Sequence, residues 1–538
     1  MTTSHDDYLA ELAAVDDFFA RRAGDGYVQR EDPDVRRLVE SIAFFAARTR
    51  QAAGDQLRRA GLQLARGFLD DFLSPQPARG LIQAVPAQFG TETTKLPAGT
   101  RLRITAEDGE VGLFSTMVDV TLRPLEIDFA RVLPHRDGRR LVIRIRARRG
   151  VEITEPLSIY VGNPSAHSAS LRLHYRLHQH ATGAGVYYNA APDAEQGRDE
   201  CKLSFGSAPV PRTVPGPPTA IESLRTSLHF PDRELCFHVT LPSRPMRLAW
   251  LCIDLDDGWP ADLAVSKDLF RLFVIPVENL VRDAAQPIKC DGTRARFRIS
   301  PPAEHGLALH SVTGVFEETA QGRRPIQPVH LASADPSYDL DYGGDGLDPV
   351  EPHLVLRMPD AFTAPRLISV EARWHQPWFD DVALGKLDIR LQTRHIDGVQ
   401  FQLLGMLTSH RPSPLWRDPA AMLRVLSRRA SRVLHRRDLI HLMTLLGAGP
   451  DSHYAGIEAK LLRVDSDEEL GDLLRGGGIH RVYRITVDDV PEEQLGLLDG
   501  YLHCVEQLLD AWSANPVRVE RCRRTSAAQK RLASGNGA

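Results

Sequence analysis

The sequence predicts an α+β protein in which helical ends flank a β-rich middle built of antiparallel sheets. Apolar residues recur at three- and four-residue intervals near both ends, and short runs alternate apolar with polar between about residues 80 and 400. Clustered prolines and glycines punctuate the chain where these textures change.

In chain order, Tyr8, Leu12, Val15, Phe18 and Phe19 mark a first helix, broken by Gly24-Asp25-Gly26. A second follows Asp32-Pro33, a carboxylate suited to an N-cap and a proline suited to the first turn, with Val35, Leu38, Val39, Ile42, Phe45 and Ala46 on its apolar face. A third is expected over about Ala52 to Leu73, ending before Ser74-Pro75-Gln76-Pro77. The β texture then shows in residues 101–104, 141–146, 171–175 and 354–357, each with one face buried and one wet. Pro209 to Pro218 and Asp339 to Asp348 read as loops. Helical spacing returns in Ala421 to Leu426 and Val433 to Leu445, followed by a strand over Ile479 to Val487 and a helix over Glu492 to Trp512. The expected division is a helical region (1–75), two β-rich domains (76–220 and 221–410) and a mixed, mainly helical region (411–538).

Composition bounds the function. The 538 residues carry 66 Lys and Arg against 70 Asp and Glu, a net charge of −4, which leaves no footprint for a nucleic-acid partner. With 42% hydrophobic and 25% charged residues the chain is an ordinary globular one. Six cysteines without Cys-x-x-Cys spacing argue for a reducing compartment and against structural zinc. No signal peptide and no membrane-length apolar run are visible, so a cytoplasmic protein without membrane insertion is expected.

Motifs for chemistry are thin. His174, His178 and His180 form the densest imidazole cluster, and two histidines four apart on a helix could share a metal. The surrounding alternation instead predicts a strand that carries all three on one face as surface or interface groups. His435-Arg436-Arg437-Asp438-Leu439 is one residue too long for a kinase catalytic loop and lacks its companion motifs, so it reads as a basic helix surface. Gly476-Gly477-Gly478 lacks the Lys-Ser/Thr of a phosphate loop, and Asp339 to Asp345 lacks the glycine and glutamate spacing of a calcium loop. Trp374, Trp378 and Phe379 flank Pro377 and are candidate interface aromatics, with core packing as the alternative.

The most distinctive stretch, residues 273–291, reads as scaffolding: Pro276 should stand where a strand ends, Asn279 suits a turn, and Pro287-Ile288 restarts an extended segment. Its order Phe-x-x-Pro-Val-x-Asn-Leu-x-x-x-x-Ala-x-Pro-Ile resembles the signature of the TssF family (also ImpG or VasA) of type VI secretion baseplates. The matching residues are Pro276, Val277, Asn279, Leu280, Pro287 and Ile288. Asp32, Pro33, Arg37 and Leu38 are similar to the family's first motif, Pro97 and Gly99 to its Leu-Pro-x-Gly-Thr segment, and His310 to Val315 to its Tyr-Ser-Val-x-x-Val strand. Trp374-His375-Gln376-Pro377-Trp378 stands where the family has a Thr-Asn-Arg-Asp-Leu-Pro segment.

The resemblance implies a non-catalytic wedge subunit without cofactor or metal. Two copies would join one TssG, with TssE and TssK, around the VgrG hub, in the cytoplasm at the inner-membrane-docked baseplate. The alternatives are the wedge protein of an extracellular contractile particle or phage tail and, from another class, a metal-dependent or carbohydrate-active enzyme built on the His174 cluster.

Overall fold

The computed structural model describes residues 2–22, 32–86, 93–135, 138–163, 166–189, 198–207, 219–302, 306–329, 336–341, 352–358, 364–379, 387–392, 398–413, 419–429, 433–470, 479–513 and 515–523, with a few single residues between them. Seven α-helices lie among them: α1 (Thr2–Arg22), α2 (Pro33–Leu73), α3 (His167–His180), α4 (Ala220–His229), α5 (Pro419–Arg429), α6 (Arg436–Leu446) and α7 (Leu495–Trp512). The expected α+β class with a β-rich middle is the observed one.

Helix α2 starts as its sequence dictates. The Asp32 carboxylate accepts from Asp34 N at 2.9 Å, and Pro33 occupies the first turn, where a missing N–H costs nothing. The two helices expected over this stretch are one continuous helix of 41 residues, because no proline interrupts the ladder between Pro33 and Pro75. The Gly24-Asp25-Gly26 break, the Pro209 to Pro218 loop and Gly476-Gly477-Gly478 lie outside the described residues.

Three large sheets form the middle. The first has six strands in the order Asp388–Leu391, Arg101–Thr105, Val111–Thr116, Val274–Glu278, Arg79–Pro86 and Val399–Thr408, and its two edge strands lie beside each other, so the sheet curls toward a barrel. The second has eight: Phe270–Leu272, Leu157–Val161, Cys236–Thr240, Asp199–Phe205, Ala181–Tyr188, Met246–Leu255, Gly138–Val151 and Leu125–His135. Here too the first and last strands meet across a seam. Both curled sheets share one apolar core that runs from Ile82 and Phe114 to Ile143, Phe237 and Ile275.

The third sheet orders Val281–Ala284, Arg366–His375, Ala308–Thr319, Gly322–Pro328, Ser337–Asp341, His353–Arg357 and Arg296–Arg298, around a core of Trp374, Ile368, Val370 and Leu354. Asp339 to Asp341, expected in a loop, belong to its fifth strand, since Tyr338 and Leu340 pair with Leu356 and Leu354. A small C-terminal sheet (Leu461–Leu470, Ile479–Val487, Val517–Arg523) packs with α4 to α7 in a separate core.

Residues 171–175, expected as a strand, lie in α3. Leu171, Leu173, Tyr175 and Leu177 alternate, but the buried positions are Ser170, Leu173, Leu177 and His180, which is helical spacing; Leu173 and Leu177 pack into the core of the curled sheets, and Leu171 and Tyr175 lie against Gly496 of α7.

Candidate functional site: a buried junction and an unpartnered helical face

The signature stretch crosses between all three sheets. Phe273, buried at φ 58°, turns the chain in one residue from the eight-stranded sheet into Val274–Glu278, a central strand of the first. Pro276 sits inside this strand rather than at its end. Opposite it, Leu81 is its register partner, whereas on the other side the ladder to Val111–Thr116 comprises Val277 and Glu278 and stops at the proline. That is the side on which a residue without N–H is tolerated. Its carbonyl accepts from Met117 N at 2.9 Å.

Beyond Glu278 the chain leaves the sheet, which would strand the polar edge of Val111–Thr116. Two side-chain amides take over. Asn279, 1% exposed, donates from Nδ2 to Leu113 O (3.0 Å) and Gln376 Oε1 (3.1 Å), and its Oδ1 accepts from Gln376 N at 2.6 Å. Gln376 Oε1 accepts from Leu113 N (2.6 Å), and its Nε2 donates to Val111 O (3.1 Å). The pair thus replaces a missing strand along three backbone groups, which a buried edge requires. Asn279 is therefore a bridge between sheets and not the self-bonding turn residue that its type suggests. Ser115 Oγ donates to Leu280 O at 2.6 Å and continues the seam.

The aromatics sort differently from expectation. Trp374 and Phe379 are each about fully buried within the chain and so present no free interface. Trp374 donates from Nε1 to Asp283 O at 3.1 Å, and Phe379 packs edge-on against Phe114 at 5.6 Å. A Cβ on Gly112 would fall 2.5 Å from the Phe379 ring, so that glycine is what lets the ring lie on the strand. Trp378 alone is outward, 40% exposed, with Nε1 on Gly306 O at 2.9 Å.

Among the remaining signature residues, Val277, Leu280 and Ile288 are core, and Pro287 is exposed just before Ile288 pairs with Ile368. Pro97 and Gly99 form a turn in which Gly99, at φ 79°, donates to Thr116 O at 2.7 Å, and Pro97 O accepts from the Thr100 and Thr116 hydroxyls.

A second knot, with no motif in the sequence to announce it, holds the exit of α2. Buried Arg225 on α4 donates to Asp71 O and, at 2.7 Å, to Ser74 O, which satisfies carbonyls that the helix end leaves open. Ser413 Oγ donates to Phe72 O at 2.6 Å. Buried Arg79 reaches Gln76 Oε1 (2.7 Å), His229 Nδ1 (3.1 Å) and Glu278 (3.4 Å). Burial, then the Arg79 charge, pulls His229 down to about 2, so it stays neutral and accepts from the guanidinium. His310, also driven down by burial, contacts Pro75 O at 3.1 Å.

The histidine cluster divides three ways on α3. His174 is pulled down to about 4 by burial and contacts Cys236 O at 3.0 Å. His178 lies outward against Phe205, with ring centroids 4.8 Å apart. His180 contacts Asp256 at 2.7 Å and lies edge-on to Trp259. Helical geometry thus separates what a strand would have aligned. Among the described residues no group of three or more His, Cys, Asp or Glu is placed to hold a metal ion. His435 and Asp438 form a capping box at the start of α6, and Asp438 is buried against Arg428 at 2.9 Å.

The helical pair α1–α2 carries the other feature. Ala43 and Ala47 are buried on α2, while Leu38, Ile42 and Phe45 stand 60%, 42% and 67% exposed at helical i, i+4, i+7 spacing. Leu9 and Phe18 of α1 are exposed as well. Arg37, next to Leu38, is outward and near Asp34 at 3.8 Å. The fold thus buries the signature residues Val277, Asn279, Leu280 and Ile288 at the junction, whereas Arg37 and Leu38 on α2 stand in solvent.

Buried amide bridges between sheets, capped helix exits and an exposed apolar helical face are the features of a structural subunit of a larger assembly. The family model described as type VI secretion system, TssF, matches residues 17–340, and the chain belongs to that family. It is thus a baseplate wedge component of type VI secretion. Two solved structures share its fold. A chain of the type VI secretion system TssK-TssF-TssG baseplate subcomplex, seen by cryo-electron microscopy, superposes with a TM-score of 0.71 at 17% identity, covering 92% of this chain and 97% of that one. A chain of the baseplate complex from the type VI secretion system gives 0.59 at 16% identity, covering 95% and 96%. No curated protein matches the chain. Among the described residues no helix is long and apolar enough to cross a membrane.

Proposed function

We propose that the protein works by geometry: its sheets form a rigid wall and its helical pair joins it to a TssG-type subunit, two copies to one. TssK, TssE and the VgrG hub complete the surroundings of the wedge, in the cytoplasm at the docked baseplate, and no step of catalysis is involved. The carrying observation is the Leu38, Ile42 and Phe45 stripe. An exposed apolar stripe of this width, outside the packing of α1 on α2, is the kind of surface that a partner helix covers. The neighbouring Arg37 supplies a polar rim.

The junctions explain why the wall is stiff. Asn279 and Gln376 tie the first sheet to the third, and Arg79, His229 and Arg225 tie the α2 exit to both the first sheet and α4. Force on the helical pair therefore passes into the sheets through buried, hydrogen-bonded groups rather than through a loose linker. Leu38→Lys with Phe45→Lys, co-expressed with the TssG-type partner, tests the reading. The doubly substituted protein should keep its circular dichroism and lose the partner on gel filtration; retention of the partner would refute the assignment of this face.

A further inference from the structure

The outer wall of the eight-stranded sheet holds a surface that neither the junction nor the helical pair uses. On Gly138–Val151 the residues Leu141, Ile143, Ile145 and Ala147 point into the core, and the opposite face carries Arg140 and Val142, themselves buried, then half-buried Arg144 and exposed Arg146 and Arg148. Register places Tyr187, Trp250, Arg144 and Phe129 in one row across four neighbouring strands; Tyr187 is buried with Val142 and Cys252 at one end, and Trp250, Arg144 and Phe129 are half-buried beside it. The Arg144 guanidinium lies 5.0 Å from the Trp250 ring centre and 5.8 Å from that of Phe129, and the Arg131 guanidinium lies 5.8 Å from that of Phe129. Trp250 and Phe129 meet edge to face at 5.9 Å.

Charge on this wall is unbalanced. Asp128 serves two arginines, Arg144 at 2.6 Å and Arg146 at 2.7 Å, Asp254 serves Arg140 at 2.6 Å, and Glu126 is the register partner of Arg146; the Arg131 and Arg148 side chains reach the solvent side of the wall. The guanidinium groups of Arg131, Arg140, Arg144, Arg146 and Arg148 thus share this wall with three carboxylates, Glu126, Asp128 and Asp254, in a chain whose net charge is −4. A stripe of arginine interleaved with Trp250 and Phe129 has the composition of binding hot spots, where flat rings and guanidinium planes lose little freedom on contact. A polyanion alone would call for positive charge without the ring ladder and without Asp128 in its midst.

We propose that this wall is a docking surface for an acidic polypeptide segment of a neighbouring protein, one that sets an aromatic or aliphatic side chain between carboxylates. The carboxylates pair with Arg131, Arg146 and Arg148, and the apolar side chain lies on the Trp250 and Phe129 rings. The partner therefore differs in chemistry from the apolar helix expected on α1–α2, and the two contacts can be broken separately.

The test places a photo-crosslinking benzoylphenylalanine at Leu133, outward on the same wall. Tagged protein is irradiated in its native host and isolated, and the joined peptides are sequenced by mass spectrometry. The expected product is a segment rich in Asp and Glu with an aromatic or aliphatic residue among them, and R144E with R146E should lower its yield at least tenfold while the TssG-type partner still co-purifies. Should that variant fail to fold, R131E with R148E, both at exposed positions, carries the same expectation. A cross-link to a neutral or basic segment, no cross-link, or a yield indifferent to charge reversal would overturn the proposal. So would binding of the purified protein to phosphatidylglycerol vesicles or duplex DNA that R144E with R146E abolishes, since that identifies a polyanion site instead.

Discussion

Replacing Asn279 with Ala removes three hydrogen bonds and leaves Gln376 N–H and Leu113 C=O buried without that partner. Each such stranded group costs about 1 to 3 kcal/mol, so the junction should weaken by roughly 3 kcal/mol. This exceeds the cost for a residue that merely bonds its own turn, because the partners here belong to two other sheets. Local opening should therefore become about 100-fold more frequent, which hydrogen exchange measured by mass spectrometry reads directly in peptides covering 111–116 and 374–378. Gln376→Ala strands Leu113 N–H and Val111 C=O in the same seam, so the double variant should cost less than the two single costs together, by about 1 to 2 kcal/mol. Exchange in those peptides within threefold of wild type, or strictly additive costs, would refute the view that two amides stand in for a strand.

Three further outcomes follow from the same geometry. His174 and His375 are lowered by burial to about 4 and about 3, so their neutral forms contribute stability that is complete above the unfolded value near 6.5 and is lost as pH falls toward 4 and then 3. The urea midpoint should drop across that window, and His375→Phe should flatten its lower part; an unchanged slope would contradict this. Changing His174, His178 and His180 together to Gln should cost on the order of 1 to 3 kcal/mol, from loss of the Cys236 and Asp256 contacts, with no metal released on elemental analysis. Gly112→Ala should destabilise by about 1 to 3 kcal/mol, because its methyl group meets the Phe379 ring at 2.5 Å; a melting curve matching wild type would show that the ring can move aside.

What could be read in the residues was mostly local. Asp32-Pro33 announces the start of α2 because capping chemistry is contained in neighbouring residues, and the alternation in residues 101–104 and 141–146 survives as strands because one face is buried throughout. The segment around His174 was misleading, since leucines at 171, 173 and 177 satisfy both periods, and the core of the curled sheets, assembled from strands distant in sequence, decides which face is covered. Asn279 was legible as distinctive but not in role: Gln376 is 97 positions distant and has no pattern of its own. Arg79, Arg225 and His229 were silent for the same reason, as buried polar knots are defined by partners that only folding assembles.

The central claim, that the exposed stripe of α2 joins the protein to its TssG-type partner in the wedge, is tested most directly by light scattering on the co-expressed, size-fractionated complex. The account predicts a stable species of two copies to one partner for wild type and free protein of unchanged circular dichroism for Leu38→Lys with Phe45→Lys. A wild-type protein that stays monomeric with no affinity for the partner, or a substituted one that assembles as before, would contradict it.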